Sequence, residues 1–207
     1  MSEKANFSNI YNFYDLINTV LTLGFDKSWR EKALSNLIGN TVLDLGSGTG
    51  AAFDQLLNYE TTAIDPDKKM LELNTFENKV LGSAENLPFE DNSFDNVFCS
   101  FVWRNVSDTN KALEEVYRVL RPGGKFILLD MTRPKNSFLK MLHKIGTFKV
   151  LHLIGLLTFN LKEYRFLYKS LDFYPQPENC LKKDNFIDLQ IERMGLFEFV
   201  YLAVFTK

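Results

Sequence analysis

The run from Thr41 to Gly50, TVLDLGSGTG, sets most of what this chain can fold into. Val42-Leu43-Asp44-Leu45 reads as a short apolar strand that passes straight into a glycine-rich loop, Gly46-Ser47-Gly48-Thr49-Gly50. Glycines at alternate positions let the backbone turn sharply and approach a ligand closely, because no Cβ stands in the way. A strand, such a loop and then a helix is how open α/β sheets build a nucleotide site at the carboxyl ends of their strands.

The remaining segments alternate in the same way. Ala51 to Leu57 predicts the first helix, Thr61 to Ile64 a second strand ending in Asp65-Pro66, and Asp67 to Phe76 a helix. Val80-Leu81-Gly82 predicts a third strand and Phe94 to Phe101 a fourth. A helix capped by Asp108 or Thr109 runs to Leu120 with Ala112, Leu113, Val116, Val119 and Leu120 on its apolar face. After the turn Arg121-Pro122-Gly123-Gly124, Lys125 to Met131 is a fifth strand. Leu189 to Met194 and Phe197 to Thr206 predict two more, closing the sheet as an antiparallel pair. The expected fold is α/β: a doubly wound, mostly parallel, seven-stranded, Rossmann-like sheet with an antiparallel C-terminal strand and a helical cap.

The cap comes from both sides of the core. Asn12 to Leu23 and Phe25 to Ile38 read as two helices laid in front of the first strand, with Gly24 and Gly39-Asn40 as their stops. Ser137 to Phe159 reads as one or two amphipathic helices carrying Lys140, Lys144 and Lys149, and Tyr164 to Leu171 as another. Pro175-Gln176-Pro177 breaks that helix, and a short one follows to about Ile187. One domain is expected, with a cap over 1–40, a cofactor-binding core over 41–132, a helical acceptor or lid insertion over 133–185 and C-terminal strands over 186–207.

Composition narrows the function classes. The formal net charge of −2 supplies no field for nucleic acid, and no Asn-Pro-Pro-Tyr-like tetrapeptide follows the fourth strand. Neither His143 nor His152 has a metal-ligand neighbourhood, so no metal site is expected. Two cysteines make no disulfide framework, and Cys99 in an apolar run reads as a reduced core residue. The opening MSEKANFSNI lacks an apolar secretory region, and no apolar run reaches the ~20 residues of a membrane span. A cytoplasmic location is expected; the apolar residues and interspersed lysines of 138–161 suit a lid in peripheral membrane contact, the wall of an apolar tunnel, or an ordinary helix packed on the sheet.

Gly46 to Ala51 satisfies the dinucleotide pattern G-x-G-x-x-G/A, and Asp65 stands about 20 residues past its first glycine, where an acid can accept from both ribose hydroxyls. NAD and S-adenosylmethionine share an adenosine, so loop and acid alone leave both open. The later segments separate them. Ser83-Ala84-Glu85-Asn86-Leu87-Pro88-Phe89 follows the third strand, and Arg118-Val119-Leu120-Arg121-Pro122-Gly123-Gly124 precedes the fifth. At these residues the chain resembles the class I S-adenosylmethionine-dependent methyltransferases. Tyr14-Asp15-Leu16-Ile17-Asn18 reaching Trp29, Arg104-Asn105-Val106, and Tyr164 to Ser170 with Phe173-Tyr174-Pro175 resemble, more narrowly, the ubiquinone/menaquinone biosynthesis C-methyltransferases. Where that family has Met, Ser and His in its N-terminal signature, this chain has Ile17, Thr22 and Asp26. Its fifth strand ends Asp130-Met131-Thr132 in place of Glu-x-Ser, and no Thr-Gly-Gly turn precedes its last strand.

The resemblance implies S-adenosyl-L-methionine as cofactor, with Asp44 and Gly46, Ser47, Gly48 and Thr49 at its amino-acid and ribose end. It also implies Asp65 on the ribose hydroxyls, Ser83 and Ala84 bracketing adenine, and Ser100 beneath the methyl-transfer position. The implied acceptor is a small molecule, a prenylated quinol methylated on a ring carbon. Such a reaction needs a water or base, which Arg104 and Asn105 are candidates to orient while stabilising a developing oxyanion, and Tyr14 is a candidate to close over the donor. Three rival expectations are a methyltransferase for another small molecule, a non-catalytic S-adenosylmethionine-binding protein, and an NAD-dependent dehydrogenase. The last lacks a Tyr-x-x-x-Lys-type pair.

Overall fold

Strands buried on both faces need apolar residues in both parities, and the sequence supplies them. In the computed structural model, which describes residues 19–207 except 23, 159, 183 and 184, the chain forms one seven-stranded sheet. The strands are β1 Thr41–Leu45, β2 Glu60–Asp65, β3 Lys79–Leu81, β4 Phe94–Ser100, β5 Leu120–Met131, β6 Asp188–Met194 and β7 Val200–Thr206. Their order across the sheet is β3-β2-β1-β4-β5-β7-β6. The first five pair in parallel, and β7 runs antiparallel to both β5 and β6. The doubly wound sheet and its antiparallel closing pair stand as expected.

Alternation along each strand divides the interior into two cores. Leu43, Val97, Cys99, Phe126, Leu128, Tyr201 and Ala203 feed one, whereas Val42, Phe98, Ile127, Leu129, Val200 and Leu202 feed the other. Cys99 is a buried free thiol, as its apolar surroundings suggest. Each core is covered by helices. On the first lies α4 Thr109–Val119, capped by Asp108, whose side chain accepts from the Lys111 amide at 3.0 Å. It buries Ala112, Leu113, Val116 and Val119. Against the second lies α1 Asp26–Leu34, through Ala33 and Leu34.

Several helices are shorter than periodicity suggests, each for a local reason. α1 ends at Leu34 because the backbone at Ile38 is claimed by Asn96 of β4, whose Oδ1 accepts from the Ile38 amide at 3.0 Å. α2 Phe53–Leu56 starts late, since Gly50 first turns the chain at φ +88°. α3 Lys68–Leu73 stops where Asn74 extends, its side chain accepting from the Phe76 amide at 2.9 Å. α7 Pro177–Cys180 does not continue to Ile187, because Leu181 and Phe186 turn into the first core, Phe186 against Phe205 and Tyr117.

The insertion after β5 is one 21-residue helix, α5 Ser137–Leu157, followed by α6 Leu161–Phe173. Arg133 fastens both helices to the end of β5. Its guanidinium donates to Asp172 at 2.8 Å and to Thr147 at 2.9 Å and lies over the Tyr168 ring at 4.9 Å. Burial and the Arg133 charge hold the nearby His143 down at about 4. Thr147, Leu151 and Gly155 face inward on α5, and the opposite face leaves Phe138, Met141, Leu142, Ile145, Leu153 and Leu156 exposed. Among the described residues no helix is long and apolar enough to cross a membrane.

Candidate functional site

The carboxyl ends of β1, β2 and β4 converge on the glycine loop. β1 delivers Asp44, and Ser47 donates its hydroxyl to the Asp44 carboxylate at 2.7 Å. The Gly46 and Ser47 amides both donate to the Ile64 carbonyl of β2, at 2.8 and 3.0 Å, which bends the loop back over the sheet. The Gly48 amide donates to Asp65 at 2.9 Å, and the other Asp65 oxygen accepts from the Asp67 amide at 2.8 Å. β3 pairs Leu81 with Asp65, which brings Ser83 and Ala84 to the edge beside β2. The Ser83 backbone bridges to Asn86, and Ala84 is buried in the core.

Two glycines are required for different reasons. At Gly46 the backbone is at φ +71° and a Cβ would lie 2.4 Å from Val102 Cγ1. At Gly48, φ is +54° and a Cβ would meet nothing within 4 Å, so that side of the loop is open. A small, partly open pocket lies against the loop. It is lined by Asp44, Gly46, Ser47, Gly48, Thr49, Ala51, Ala52, Ser100, Phe101 and, from α1, Arg30. Asp65, Ser83 and Ala84 stand beyond this lining.

Both acids are buried and unusually basic. Burial raises the Asp44 carboxyl to about 6, against the Ser47 hydrogen bond and with the Asp65 charge adding to the rise. Burial likewise raises Asp65 to about 6, against the Asp67 and Gly48 amides. Such carboxylates gain from a ligand that brings hydroxyl or ammonium donors. An adenosine with an amino-acid tail carries both, so the residues present fit an S-adenosylmethionine-type donor.

Beyond β4 the chain turns sharply. Phe101 adopts φ +61°, a conformation uncommon for a residue with a side chain, and is held there by its amide donating to the Leu129 carbonyl at 2.7 Å. A single 3₁₀ turn, Trp103–Asn105, follows. Arg104 is drawn inward: its side chain is paired with Asp130 of β5, its amide donates to Asp130 at 2.9 Å, and its guanidinium donates to the Phe101 carbonyl at 2.9 Å. The Asn105 amide group is buried with neither Nδ2 nor Oδ1 hydrogen-bonded. The structure therefore brings Arg104 and Asn105 to the segment that follows Ser100 and Phe101, but not into the lining of the cavity. Tyr14 lies outside the described residues, as does most of the first predicted helix. Of that helix residues 19–21 are described and helical, and Gly24 closes the turn at φ +80° with its amide on the Thr19 carbonyl at 2.7 Å.

Two residues of this site escape sequence reasoning. Asn74 is buried and donates to Ser47 Oγ at 2.8 Å and to the Gly48 carbonyl at 2.9 Å, bracing the loop from the far end of α3. Arg30 reaches the cavity from the cap. The one signal for Arg30 was its placement directly after Trp29 in a motif already singled out; for Asn74 there was none.

Comparison with known proteins gives the family. Residues 3–189 match the ubiE/COQ5 methyltransferase family. A relative from Rickettsia bellii, ubiquinone/menaquinone biosynthesis C-methyltransferase UbiE, is 37% identical over 213 residues, covering 91% of this chain and 86% of the relative. The protein of the same name from Rickettsia akari is 35% identical over 193 residues, 83% of this chain and 78% of the relative. Among solved structures, a SAM-dependent methyltransferase of Thermotoga maritima superposes with a TM-score of 0.67 at 20% identity, over 98% of this chain and 100% of that one. An S-adenosyl-L-methionine-dependent methyltransferase of Methanococcus maripaludis gives 0.64 at 21%, over 100% and 97%. At such identities these two establish the shared fold.

Proposed function

The chain belongs to the ubiE/COQ5 methyltransferase family and is an S-adenosyl-L-methionine-dependent methyltransferase; from that premise we propose that it methylates a ring carbon of a quinol-type acceptor, a menaquinol or ubiquinol precursor. The observation that carries this reading is the match over nearly the whole chain to C-methyltransferases of quinone biosynthesis. Bound at the glycine loop, S-adenosyl-L-methionine supplies an activated methyl group for in-line displacement by a carbon nucleophile.

The chain's own residues divide the remaining work. Gly46, Ser47, Gly48, Thr49 and Asp44 hold the amino-acid and ribose end, and Asp65 takes the ribose hydroxyls. Ser83 and Ala84 flank the base, and Ser100 lies at the transfer end. A quinol ring becomes nucleophilic at carbon when a hydroxyl is phenolate-like, and the methylated carbon must afterwards lose its hydrogen as a proton. Arg104 is held immobile by its buried ion pair with Asp130 on the segment that follows Ser100, which makes it the candidate to stabilise that oxygen's charge. The unpartnered Asn105 amide can orient the hydroxyl or a water that receives the proton. The helices of 26–34 and 137–173, on either side of the core in sequence, are the segments that would select the acceptor.

The exposed apolar face of α5, with Lys140, Lys144 and Lys149 along the helix, suits docking on an anionic membrane at its cytoplasmic face, where a prenylated quinol resides. The protein is expected to pellet with anionic vesicles, and Ile145→Glu together with Leu156→Glu to abolish pelleting. Equal pelleting of the doubly substituted protein refutes the docking face.

The function itself is tested by methyl transfer to demethylated naphthoquinols, benzoquinols and simple phenols, with the product's methyl position fixed by NMR. A ring-methylated quinol is expected. An O-methylated product, or turnover of phenols alone, overturns the acceptor. Donor binding with no turnover on any acceptor favours the binding-protein alternative.

A further inference from the structure

Arg30 is placed where a structural ion pair alone does not account for it. Its side chain is 8% exposed, and one nitrogen donates to Asp26 at 2.5 Å, one turn earlier on α1. Its guanidinium carbon lies 5.8 Å from the centre of the Phe101 ring, and the side chain lines the cavity together with Asp44, Ser47 and Thr49. Its Nε–H is buried and makes no hydrogen bond. A buried guanidinium hydrogen left without an acceptor is unfavourable, and it is most simply relieved by an acceptor that enters the cavity.

The chemistry of that acceptor follows from the rest of the lining. Arg30 is the only basic side chain among the ten residues around the cavity, which otherwise offers one acid, hydroxyls and backbone. Asp44 suits an ammonium group. A neighbouring carboxylate would find its one charged complement in that lining in Arg30. The methionine end of the cofactor carries both charges on one carbon.

We propose that Arg30, delivered by the cap helix, recognises the α-carboxylate of the methyl donor and thereby makes the enzyme selective for a donor with an intact amino-acid end. This rests on the reading of the glycine loop as the donor site and goes beyond it by adding a residue from outside the core. Asp26 holds the guanidinium in place, so that little side-chain freedom is lost on binding.

The test varies the ligand and the residue together. Binding of S-adenosylhomocysteine and of its decarboxylated analogue, S-adenosyl-3-thiopropylamine, is measured by calorimetry for the wild type, Arg30→Leu and Arg30→Lys. The wild type should prefer the carboxylate-bearing ligand by about 10- to 100-fold, the range of one charge-assisted hydrogen bond. Arg30→Leu should bring the two ligands within threefold of each other, chiefly by weakening the carboxylate-bearing one. Arg30→Lys should keep part of the preference. A wild type that does not discriminate, or an Arg30→Leu that weakens both ligands equally, overturns the assignment. Should the Leu variant not fold, the wild-type preference and its reduction in Arg30→Lys decide; an undiminished preference in the Lys variant counts against a guanidinium-specific contact. A wild type that binds neither ligand refutes the donor site itself, a result distinct from failure of Arg30 alone.

Discussion

Lowering the pH from 7 to 5 should weaken S-adenosylhomocysteine binding by about tenfold for each of the two buried acids at the loop. Asp44 and Asp65 both stand at about 6 in the free protein. A ligand that donates hydroxyl and ammonium hydrogens to them returns each towards the ordinary value of about 3.9. At pH 7 each is mostly ionised with or without ligand, and binding is unaffected. At pH 5 each free carboxyl is about nine-tenths protonated by the Henderson–Hasselbalch relation, so binding must expel a proton from each. The combined loss approaches 100-fold, about 2.7 kcal/mol. Calorimetry in buffers of different ionisation enthalpy reads both the affinity and the protons released. Asp65→Asn should remove one of the two released protons. An affinity that is flat or rises between pH 7 and 5, with no proton release, refutes the argument. The free protein should show the opposite trend from the same groups. Because their folded values lie above the reference of 3.8, their stabilisation is complete below about pH 4 and is lost as the pH rises through 6. The shift corresponds to about 3 kcal/mol for each group.

Three further substitutions probe the frame of the site and its chemistry. Gly46→Ala forces a Cβ against Val102 at a positive φ and should cost about 2–4 kcal/mol in chemical denaturation, with partial recovery in a Gly46→Ala, Val102→Ala double variant. An unshifted midpoint for the single variant would show that the loop can move away. Asp130→Asn leaves the Arg104 guanidinium buried without its counter-charge and should cost about 3–5 kcal/mol, lowering Tm by roughly 2–4 °C for each kcal/mol. Arg104→Ala breaks the same buried pair and should carry a like stability cost; assayed well below its own Tm it should retain donor binding but lose methyl transfer, and full turnover there removes Arg104 from the chemistry.

The sheet was legible because burial on both faces demands apolar residues in both parities, and VLDL, FDNVFCSF and KFILLDM supply them around a few polar positions. The donor half was legible because a loop that must turn sharply needs glycine wherever a Cβ would collide, as at Gly46. Helix ends were less so. They are set by partners distant in the chain, as when Asn96 claims the backbone at Ile38, and periodicity carries no record of such contacts. The same holds for Asn74, whose side chain braces a loop 26 residues earlier. Arg104 shows the limit differently: its position after β4 was apparent, but its engagement by Asp130 depends on β5 lying alongside, which only the sheet order supplies.

That sheet order carries a consequence for how the chain is made. β6 precedes β7 in synthesis, yet β7 lies between β6 and the rest of the sheet. A nascent chain that has released β6 therefore has nowhere to pair it, and β5 waits with one flank of unbonded amides and carbonyls. β7, translated after β6, is the strand that seals both. Any pause or break between Met194 and Val200 leaves a half-built product with a sticky β5 border, a template for self-association until the seal arrives.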